Sequence, residues 1–303
     1  MELVRYCKAL SDETRVRLVH LLMRHELNVG EIVRALDMGQ SRVSRHLKIL
    51  LDAGLLDVRR DGLWAFYSAV EKGHARAFMD GAAQMFPDEP QLLDDLERTE
   101  AILHERVVST REFFDTVAPE WERLSRDMLG GLHLPEKLSE RVGRCSVAAD
   151  LGCGPGDLLQ RLADHCREVI GVDNSPRMLD MARTRFQGRE DVSLRIGELT
   201  HLPLRDEEAE VVVISLVLHH LSDPAQAVAE ACRVLRPGGR LVLAEFDRHG
   251  VEEMRDAYGD LRLGIDRGEL RRWMEAAGFA TPVMTEYEVN KGLTVLIYES
   301  VKK

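Results

Sequence analysis

Two different spacings of hydrophobic residues follow one another in the first quarter of the chain. Apolar side chains recur at helical spacing in two helices within residues 1–25, in a short helix at 28–37 and in a helix that begins after the turn Met38-Gly39-Gln40. From Leu55 to Val70 apolar and polar residues alternate on both sides of Asp61-Gly62, a pair typical of β-hairpin turns. The pattern therefore predicts a helical region that ends in a hairpin.

The predicted fourth helix has two unlike faces. Its apolar stripe is formed by Val43, Leu47, Leu50 and Leu51. The opposite face carries polar and cationic side chains, namely Gln40, Ser41, Arg42, Ser44, Arg45 and Lys48. Two helices joined by a short turn, the second presenting such a face, are typical of a helix-turn-helix that binds double-stranded DNA. A winged helix used only for protein contact or dimerisation is the alternative.

Strands and helices alternate from Ser146 onward. Strands are predicted at 146–151, 168–173, 192–197, 210–215 and 240–246, with helices near 157–166, 176–187 and 224–235. This alternation predicts a Rossmann-like α/β domain, in which helices cover both faces of a parallel sheet. The segment DLGCGPG at 150–156 places a glycine loop at the carboxyl edge of the sheet, where open sheets of this kind bind ligands. The next strand ends in Asp173, which can accept two hydroxyls of a ribose.

The net charge of −11 hides an uneven distribution. Residues 1–86 hold 13 Lys and Arg against 11 Asp and Glu, a balance of +2, whereas the remainder holds 28 against 41, a balance of −13. No acidic residue occurs from Gln40 to Leu51. This local cationic face suits contact with phosphate, whatever charge the distant domain carries.

The cysteines and the apolar runs indicate the cellular compartment and whether the chain binds a metal or spans a membrane. Five cysteines are scattered without a CxxC pair, which favours a reducing cytoplasm and disfavours a disulfide framework or a zinc site. The longest uncharged apolar run, Val211 to Ser222, has 12 residues, too few to span a bilayer. We therefore expect a cytoplasmic protein with no metal and no membrane segment.

Three stretches resemble the ArsR family of winged-helix repressors over roughly residues 1–75: SDETRVRLVHLL, SRVSRHLKILLDAGLL and RRDGLWAFY. The resemblance implies a homodimer on operator DNA. It implies that Gln40, Ser41, Ser44, Arg45 and His46 face the major groove and that Lys48, Arg59 and Arg60 bind phosphate, with Arg42 also in the DNA-binding set. For His46, a packing role is the alternative. Metal-sensing members keep cysteines in the helix before the recognition helix, but Leu27 to Asp37 holds none, so a metal sensor of that kind is not expected.

A helical segment connects the two predicted domains. Gly73 to Phe86 is predicted to be helical and to be broken at Pro87-Asp88-Glu89-Pro90. A charged helix then runs from Gln91 to about Val108 with a narrow apolar stripe, typical of a helix packed on a partner chain or on its own domain; the ArsR resemblance favours a dimer. We predict a winged-helix domain at 1–86, a helical linker or dimerisation segment at 87–110 and the α/β domain at 111–303.

Three further segments accompany the glycine loop: Gly197-Glu198 after the third strand, Leu218-His219-His220-Leu221 after the fourth, and RVLRPGGRLVLAEF leading into the fifth. Together they resemble class I S-adenosylmethionine-dependent methyltransferases, particularly the branch acting on small molecules, over about residues 110–303. The resemblance implies S-adenosylmethionine or S-adenosylhomocysteine as ligand. The residues implied to bind it are Asp150, Gly152, Cys153, Gly154, Gly156, Asp173, Asn174, Met178, Gly197, Glu198, Leu199 and Ser215. A degenerate fold without ligand is the alternative.

The resemblance also implies separate roles within this set. Asp150 and the glycine loop line the amino-acid end of the ligand, Asp173 holds the ribose and Glu198 binds the adenine amine. Catalytic residues are harder to assign, because Ser215-Leu216-Val217-Leu218 stands where base-modifying enzymes keep an NPPY-like motif. His219 and His220 include a candidate general base, with ordering of the loop as the alternative, and no catalytic residue is assigned.

Two functions follow from these observations. The first is a DNA-binding transcriptional regulator whose α/β domain binds S-adenosylhomocysteine or S-adenosylmethionine as effector. Its architecture is similar to that of the S-adenosylhomocysteine-responsive ArsR members that control methionine-cycle genes. Phe114 and Trp121, in the segment 113–124 that begins the second domain, are candidate lid residues near the ligand sulfur. The alternative is an active small-molecule methyltransferase with an attached autoregulatory DNA-binding domain.

Overall fold

The computed structural model describes residues 1–85 and 89–303. It contains two compact units, Met1–Arg106 and Val107–Lys303, and the division falls inside the long helix α6 (Pro90–Val117). This helix begins one residue before, and ends nine residues after, the predicted bounds of the charged helix. The predicted end of the first domain at Phe86, and the first two residues of the predicted break at 87–90, lie outside the described residues. The domain bounds 1–86, 87–110 and 111–303 therefore stay predictions.

The N-terminal unit is a bundle of short helices with a three-stranded antiparallel sheet. The helices that precede α6 are α1 (Glu2–Ala9), α2 (Glu13–Leu22), α3 (Val29–Leu36), α4 (Gln40–Ala53) and α5 (Gly73–Ala83). The strands are β1 (Leu27–Asn28), β2 (Leu56–Asp61) and β3 (Trp64–Ala69), in the order β1-β3-β2. The predicted helix-turn-helix and hairpin are both present, with α4 as the second helix of the motif.

Local signals determine where these helices begin and end. The Asp12 side chain accepts the backbone N–H of Arg15 at the start of α2. Asn28 and Glu31 form a reciprocal capping box at the start of α3. Helix α4 ends at Gly54, whose φ of 75° is the left-handed conformation that glycine adopts most readily. These ends orient α4 so that Val43, Leu47 and Leu50 enter the core and the polar side chains face outward.

The C-terminal unit is a seven-stranded sheet covered by helices on both faces. Its helices are α7 (Trp121–Leu129), α8 (Leu134–Val142), α9 (Asp157–Leu162), α10 (Pro176–Arg185), α11 (Pro224–Val234), α12 (Glu253–Tyr258) and α13 (Arg267–Ala277). Its strands are β4 (Cys145–Leu151), β5 (Cys166–Asp173), β6 (Val192–Ile196), β7 (Ala209–Ser215), β8 (Leu235–Phe246), β9 (Val283–Glu288) and β10 (Thr294–Val301). The strand order is β6-β5-β4-β7-β8-β10-β9.

The sheet is mixed, and in this respect the prediction of a parallel sheet is incomplete. Strands β4 to β8 pair in parallel, as predicted, but β10 pairs antiparallel with β8 and β9. The two extra strands follow α13, where the chain returns through a hairpin and not through a crossover helix. A hairpin reverses chain direction, so the last two strands must run antiparallel to each other. The open α/β fold class is confirmed. Within the described residues no helix is both long and apolar enough to cross a membrane.

Candidate ligand cavity and DNA-binding face

The glycine loop between β4 and α9 is held directly against the neighbouring strand. The backbone N–H groups of Gly152 and Cys153 both donate to the Val172 carbonyl, at 2.8 and 3.0 Å. Gly152 has a φ of 80°, and a Cβ atom there would lie 2.8 Å from Val217 Cγ2. A side chain at this position would therefore be strained in the backbone and would clash with Val217. Glycine is required for the loop to reach this position.

The loop forms one wall of a cavity at the carboxyl ends of the parallel strands. Ten predicted ligand residues line it: Asp150, Gly152, Cys153, Gly154, Asp173, Asn174, Met178, Glu198, Leu199 and Ser215. Phe114 and Trp121 also line it, with their ring centroids 5.6 Å apart in an edge-to-face arrangement. The two candidate lid residues and the glycine loop thus belong to the same cavity.

Asp173 is positioned by backbone groups on either side of it. Its Oδ2 atom accepts the N–H of Gly154 at 2.8 Å, and its Oδ1 atom accepts the N–H of Ser175 at 2.9 Å. Burial raises the pKa of Asp173, although these hydrogen bonds oppose the shift. Each carboxylate oxygen retains a lone pair for a further donor. The geometry fits acceptance of two hydroxyls from a ribose.

Asp150 has a buried carboxyl group with one unsatisfied oxygen atom. Its Oδ1 atom has no hydrogen-bond partner in residues 1–85 and 89–303, and the side chain faces the cavity. Burial, with the charges of Asp173 and Asp157, raises the pKa of Asp150 to about 8. An unpartnered buried carboxyl oxygen is costly. A donor from a bound ligand, such as the ammonium of an amino acid, would remove that cost.

Two adjacent histidines after β7 differ in protonation. Burial lowers the pKa of His219, but Glu245 and Asp260 more than compensate and raise it to about 9. His219 Nδ1 lies 2.5 Å from Glu245 Oε1. Burial, followed by the charge of His219, lowers the pKa of His220 well below its usual value, so His220 is neutral. His220 lines the cavity and stacks edge-to-face against Phe114, with ring centroids 4.8 Å apart.

A carbonyl contact determines the tautomer of His220. Its Nδ1 atom lies 3.1 Å from the Gly259 carbonyl oxygen. Because a carbonyl can only accept, Nδ1 carries the hydrogen, and Nε2 of the neutral ring is then an acceptor. A group of atoms that could ligate a metal also lies here, within 4.8 Å of one another, on His219, His220 and Asp260. The absence of a metal stays a prediction.

The outward face of α4 is exposed along its length. The exposed side chains are Gln40, Ser41, Arg42, Ser44, Arg45 and Lys48, as the helical pattern predicted. Arg60 on β2 is exposed as well. A row of cationic and short polar side chains on an exposed helix is suited to a DNA groove flanked by phosphates.

Two residues of the predicted DNA set are placed elsewhere. His46 is 9% exposed, and its Nδ1 atom lies 3.7 Å from Asp12 Oδ1. This placement favours the packing role for His46. Arg59 donates to both carboxylate oxygens of Glu26, at 2.9 and 2.8 Å, and to Asp61 at 2.7 Å. These carboxylates hold its guanidinium, so His46 and Arg59 lie away from the exposed face of α4, and their contact with DNA stays a prediction.

Comparison with known proteins finds one family match within each unit. The family described as "Bacterial regulatory protein, arsR family" matches residues 12–58, which include α2 to α4 and the first part of β2. The family described as "Methyltransferase domain" matches residues 149–243, from the glycine loop to β8. The chain joins an ArsR-family helix-turn-helix to a methyltransferase domain.

The similar curated proteins match only part of this chain. An uncharacterized 37.1 kDa protein of a Streptomyces fradiae transposon is 40% identical over 164 residues, 49% of this chain and 47% of its own length. A demethylmenaquinone methyltransferase of Lactiplantibacillus plantarum is 38% identical over 143 residues, 44% of this chain and 60% of its own length. The chain thus spans about half to three fifths of the length of these relatives.

Solved structures confirm the fold of the methyltransferase domain. The [4+2]-cyclase SpnF has a TM-score of 0.54 and 17% identity, covering 63% of this chain and 94% of its own. A possible histamine N-methyltransferase of Thermotoga maritima has a TM-score of 0.51 and 23% identity, covering 64% and 100%. The domain has the class I S-adenosylmethionine-dependent methyltransferase fold. Because one neighbour is named a cyclase, the fold alone does not decide the reaction.

Two predicted ligand residues of the methyltransferase domain lie outside the cavity lining. A Cβ atom at Gly156 would lie 2.6 Å from the Phe186 ring, and one at Gly197 would lie 2.5 Å from Pro203. Both glycines thus allow close packing next to the site, and their contact with ligand stays a prediction.

Several cavity residues were not predicted from the sequence. Helices α6 to α9 and the loops beside the site contribute Thr110, Ser125, Leu129, Leu134, Pro135, Pro155, Asp157, Leu158, Leu216, Val217 and Leu221. Helices α6 to α8 come before β4, the first strand of this unit, where no motif marks a ligand contact. The aromatic segment 113–124 was the signal for this region, and it identified Phe114 and Trp121.

Proposed function

We propose that this protein is a DNA-binding transcriptional regulator, and that its methyltransferase domain binds S-adenosylhomocysteine or S-adenosylmethionine as an effector. The observation that carries the proposal is the presence, in one chain, of an exposed cationic recognition helix and a formed S-adenosyl cavity. The ArsR-family match supports the DNA side, and the methyltransferase match supports the ligand side.

On the DNA side, α4 enters the major groove of double-stranded operator DNA. Gln40, Ser41, Ser44 and Arg45 face base edges, while Arg42, Lys48 and Arg60 lie towards phosphate. A homodimer presents two such helices to half-sites about 34–36 Å apart, one turn of the duplex. Phosphate contacts determine position and most of the affinity, and base-edge contacts determine the sequence.

On the ligand side, the cavity holds the nucleoside by its ends. Asp173 accepts the ribose hydroxyls, Glu198 receives the adenine amine, and Asp150 receives the ammonium of the amino acid. The two S-adenosyl ligands differ by one methyl group and the charge of the sulfonium. Discrimination between them therefore depends on side chains near the sulfur, and we assign it to Phe114 and Trp121.

Helix α6 provides a physical route for the effector signal, because its C-terminal turns contribute directly to the ligand site. Phe114 lines the cavity, and Asp115 accepts the Ser175 hydroxyl at 2.6 Å, two residues after Asp173. A coupling free energy of about 1–3 kcal/mol between ligand and DNA would change operator affinity about 5- to 150-fold, enough for a switch.

The test is a titration of labelled DNA from upstream of the gene, with no ligand, with S-adenosylhomocysteine and with S-adenosylmethionine. We expect at least one ligand to change the affinity by about fivefold or more. The Arg45→Ala variant should no longer bind DNA but should still bind the ligand, which checks that the two binding activities are separate. Ligand binding by calorimetry together with an unchanged DNA affinity would contradict the effector role.

A second function, methyl transfer to a small molecule, is supported by His220. S-adenosylmethionine supplies an electrophilic methyl group when bound. The neutral His220 ring lies in the cavity wall with Nε2 as acceptor, and it can take the proton that an acceptor hydroxyl, amine or thiol releases. The test is transfer of labelled methyl groups into a cell extract. The His220→Gln variant should lose methyl transfer but still bind the ligand, and His201→Gln, at an exposed position, is the control. Tight ligand binding by the native protein without any methyl transfer would contradict this function.

A further inference from the structure

Two cysteines that are distant in sequence lie side by side in the sheet. Cys145 is the first residue of β4 and Cys166 is the first residue of β5, and the two are register partners in parallel strands. The Cys145 thiol donates to the Cys166 sulfur, with 2.7 Å between the Sγ atoms. This thiol pair lies at the amino ends of the strands, at the edge opposite the glycine loop.

The backbone allows a bond between the two sulfurs. Neighbouring strands are about 4.7–4.9 Å apart, which is inside the range of about 4.4–6.8 Å that a disulfide spans between Cα atoms. Both sulfurs already point to the same side of the sheet, because register partners share a face. Closure to an S–S bond of about 2.05 Å therefore needs only small movements of the side chains.

The two thiols differ in reactivity and in access. Hydrogen bonding from Cys145 lowers the pKa of the Cys166 thiol, and the same contact raises the pKa of Cys145. The thiolate is the reactive form of cysteine, so Cys166 is the better nucleophile. Cys166 is buried, whereas Cys145 is half-buried, so a small oxidant can approach from the Cys145 side.

The other cysteines do not share this arrangement. Burial raises the pKa of both Cys153 and Cys232, which keeps these thiols protonated. Cys7 is exposed in α1, in the N-terminal unit. They are natural internal controls for a reaction that depends on the paired geometry.

We propose that Cys145 and Cys166 form a site of reversible oxidation, at which hydrogen peroxide converts the two thiols into an intramolecular disulfide that a thiol reductant opens again. The Cys166 thiolate attacks one peroxide oxygen, the O–O bond breaks, and hydroxide leaves and takes up a proton. The Cys145 sulfur then attacks the Cys166 sulfenic acid, loses its proton, and expels water as the S–O bond breaks. The peroxide gains two electrons and the thiol pair loses two.

The bond would close a loop that contains the whole glycine loop and α9. A disulfide of this kind restricts the unfolded chain and ties together the two strands that carry the glycine loop and Asp173. The oxidised protein should therefore unfold at a higher denaturant concentration than the reduced protein. This inference does not depend on whether the protein regulates transcription or transfers methyl groups.

The experiment treats reduced full-length protein with hydrogen peroxide, then counts free thiols in denaturant and maps peptides without reduction. The five thiols should fall to three, with a peptide that joins Cys145 to Cys166, and dithiothreitol should restore five. Cys145→Ser and Cys166→Ser should lose this link, while Cys7→Ser and Cys232→Ser should retain it. Five remaining thiols in the native protein, a link only between Cys7 residues of two copies, or oxidation to sulfinic acid without a link would overturn the proposal.

Discussion

Asp95 in α6 lies fully buried and accepts two hydrogen bonds from the Arg17 guanidinium of α2, at 2.7 and 2.8 Å. The same guanidinium donates to the Leu36 carbonyl at the end of α3, at 3.1 Å. One side chain thus joins three helices of the N-terminal unit. Two residues 78 positions apart in the sequence form this contact, so no local pattern could indicate it.

The first prediction concerns the stability of this buried pair. Asp95→Ala leaves the Arg17 charge buried without its partner, and such a change costs about 3–5 kcal/mol. We expect the free energy of unfolding of the N-terminal unit to fall by that amount in urea denaturation. The adjacent exposed Asp94→Ala is the control and should change it by less than about 0.5 kcal/mol. Equal effects of the two substitutions would show that the ion pair contributes little.

The second prediction concerns the nucleoside site. Asp173→Ala removes the acceptor expected to bind the ribose, and hydrogen bonds to a charged group contribute about 1.5–3 kcal/mol. Affinity for S-adenosylhomocysteine should therefore fall roughly 10- to 150-fold by calorimetry. Asp180→Ala, at an exposed position of α10, is the control, because its carboxylate pairs with the surface residue Arg183. Unchanged affinity in Asp173→Ala would place the ligand elsewhere.

The third prediction concerns transmission and rests on the proposed effector role. Asp115 contacts Ser175 through its carboxylate and also accepts the backbone N–H of Arg177, at 3.3 Å. Asp115→Ala should retain ligand and DNA affinities within a few-fold and reduce the effect of ligand on DNA affinity. The exposed Glu112→Ala, one turn earlier in α6, should retain the full response. A normal response in Asp115→Ala would exclude this contact as the link.

The fourth prediction separates DNA contact from structural support. Lys48→Ala should weaken binding to all DNA sequences alike and reduce the slope of log affinity against log salt by about 1. Arg59→Ala should instead destabilise the protein, because Glu26 and Asp61 lose their common partner. Fluorescence anisotropy over a salt series and urea denaturation distinguish the two outcomes. A reduced salt slope in a stable Arg59→Ala variant would restore Arg59 to the DNA set.

The fifth prediction is a pH dependence caused by Asp150. Its pKa is about 8 in the folded protein and 3.8 ordinarily, so above about pH 4 the unfolded chain releases a proton that the folded chain retains. Asp150 thus lowers stability increasingly up to about pH 8. Without ligand, Asp150→Asn should be more stable than the native protein at pH 7, on the order of 4 kcal/mol, and the difference should vanish towards pH 4.

Urea denaturation at several pH values measures this difference. The exposed Asp164→Asn carries the same chemical change outside the cavity and should show no such trend. A constant difference between Asp150→Asn and the native protein would mean that Asp150 is ionised in the folded state. Saturating S-adenosylhomocysteine should reduce the difference, since its ammonium supplies a partner for the carboxylate.

The sequence indicated those features that depend on local spacing. The exposed face of α4 follows from helical periodicity, and the positions of Gly152 and Asp173 follow from the strand and loop order. The sequence did not indicate the surroundings of His46 and Arg59, because Asp12 and Glu26 come from other elements. It did not indicate the packing of Gly156 and Gly197 either, since Phe186 and Pro203, which fill the space beside them, come from other segments.

The strand register was also beyond local reasoning. Five scattered cysteines gave no sign of a pair, because Cys145 and Cys166 meet only through the alignment of β4 with β5. The antiparallel β9 and β10 were not predicted, because the pattern of alternating strands and helices ends at the fifth predicted strand. Long-range pairing therefore accounts for most of what the sequence did not indicate.

His220 and Asp150 differ in how their charge depends on pH, and this difference determines where ligand binding exchanges protons with solvent. His220 stays neutral and His219 stays charged from neutral pH to about pH 9, so this end of the cavity keeps one charge state. Asp150 changes charge near pH 8. Ligand uptake should therefore exchange protons with solvent at the amino-acid end, where Asp150 lies, and calorimetry in buffers of different ionisation enthalpy would count these protons.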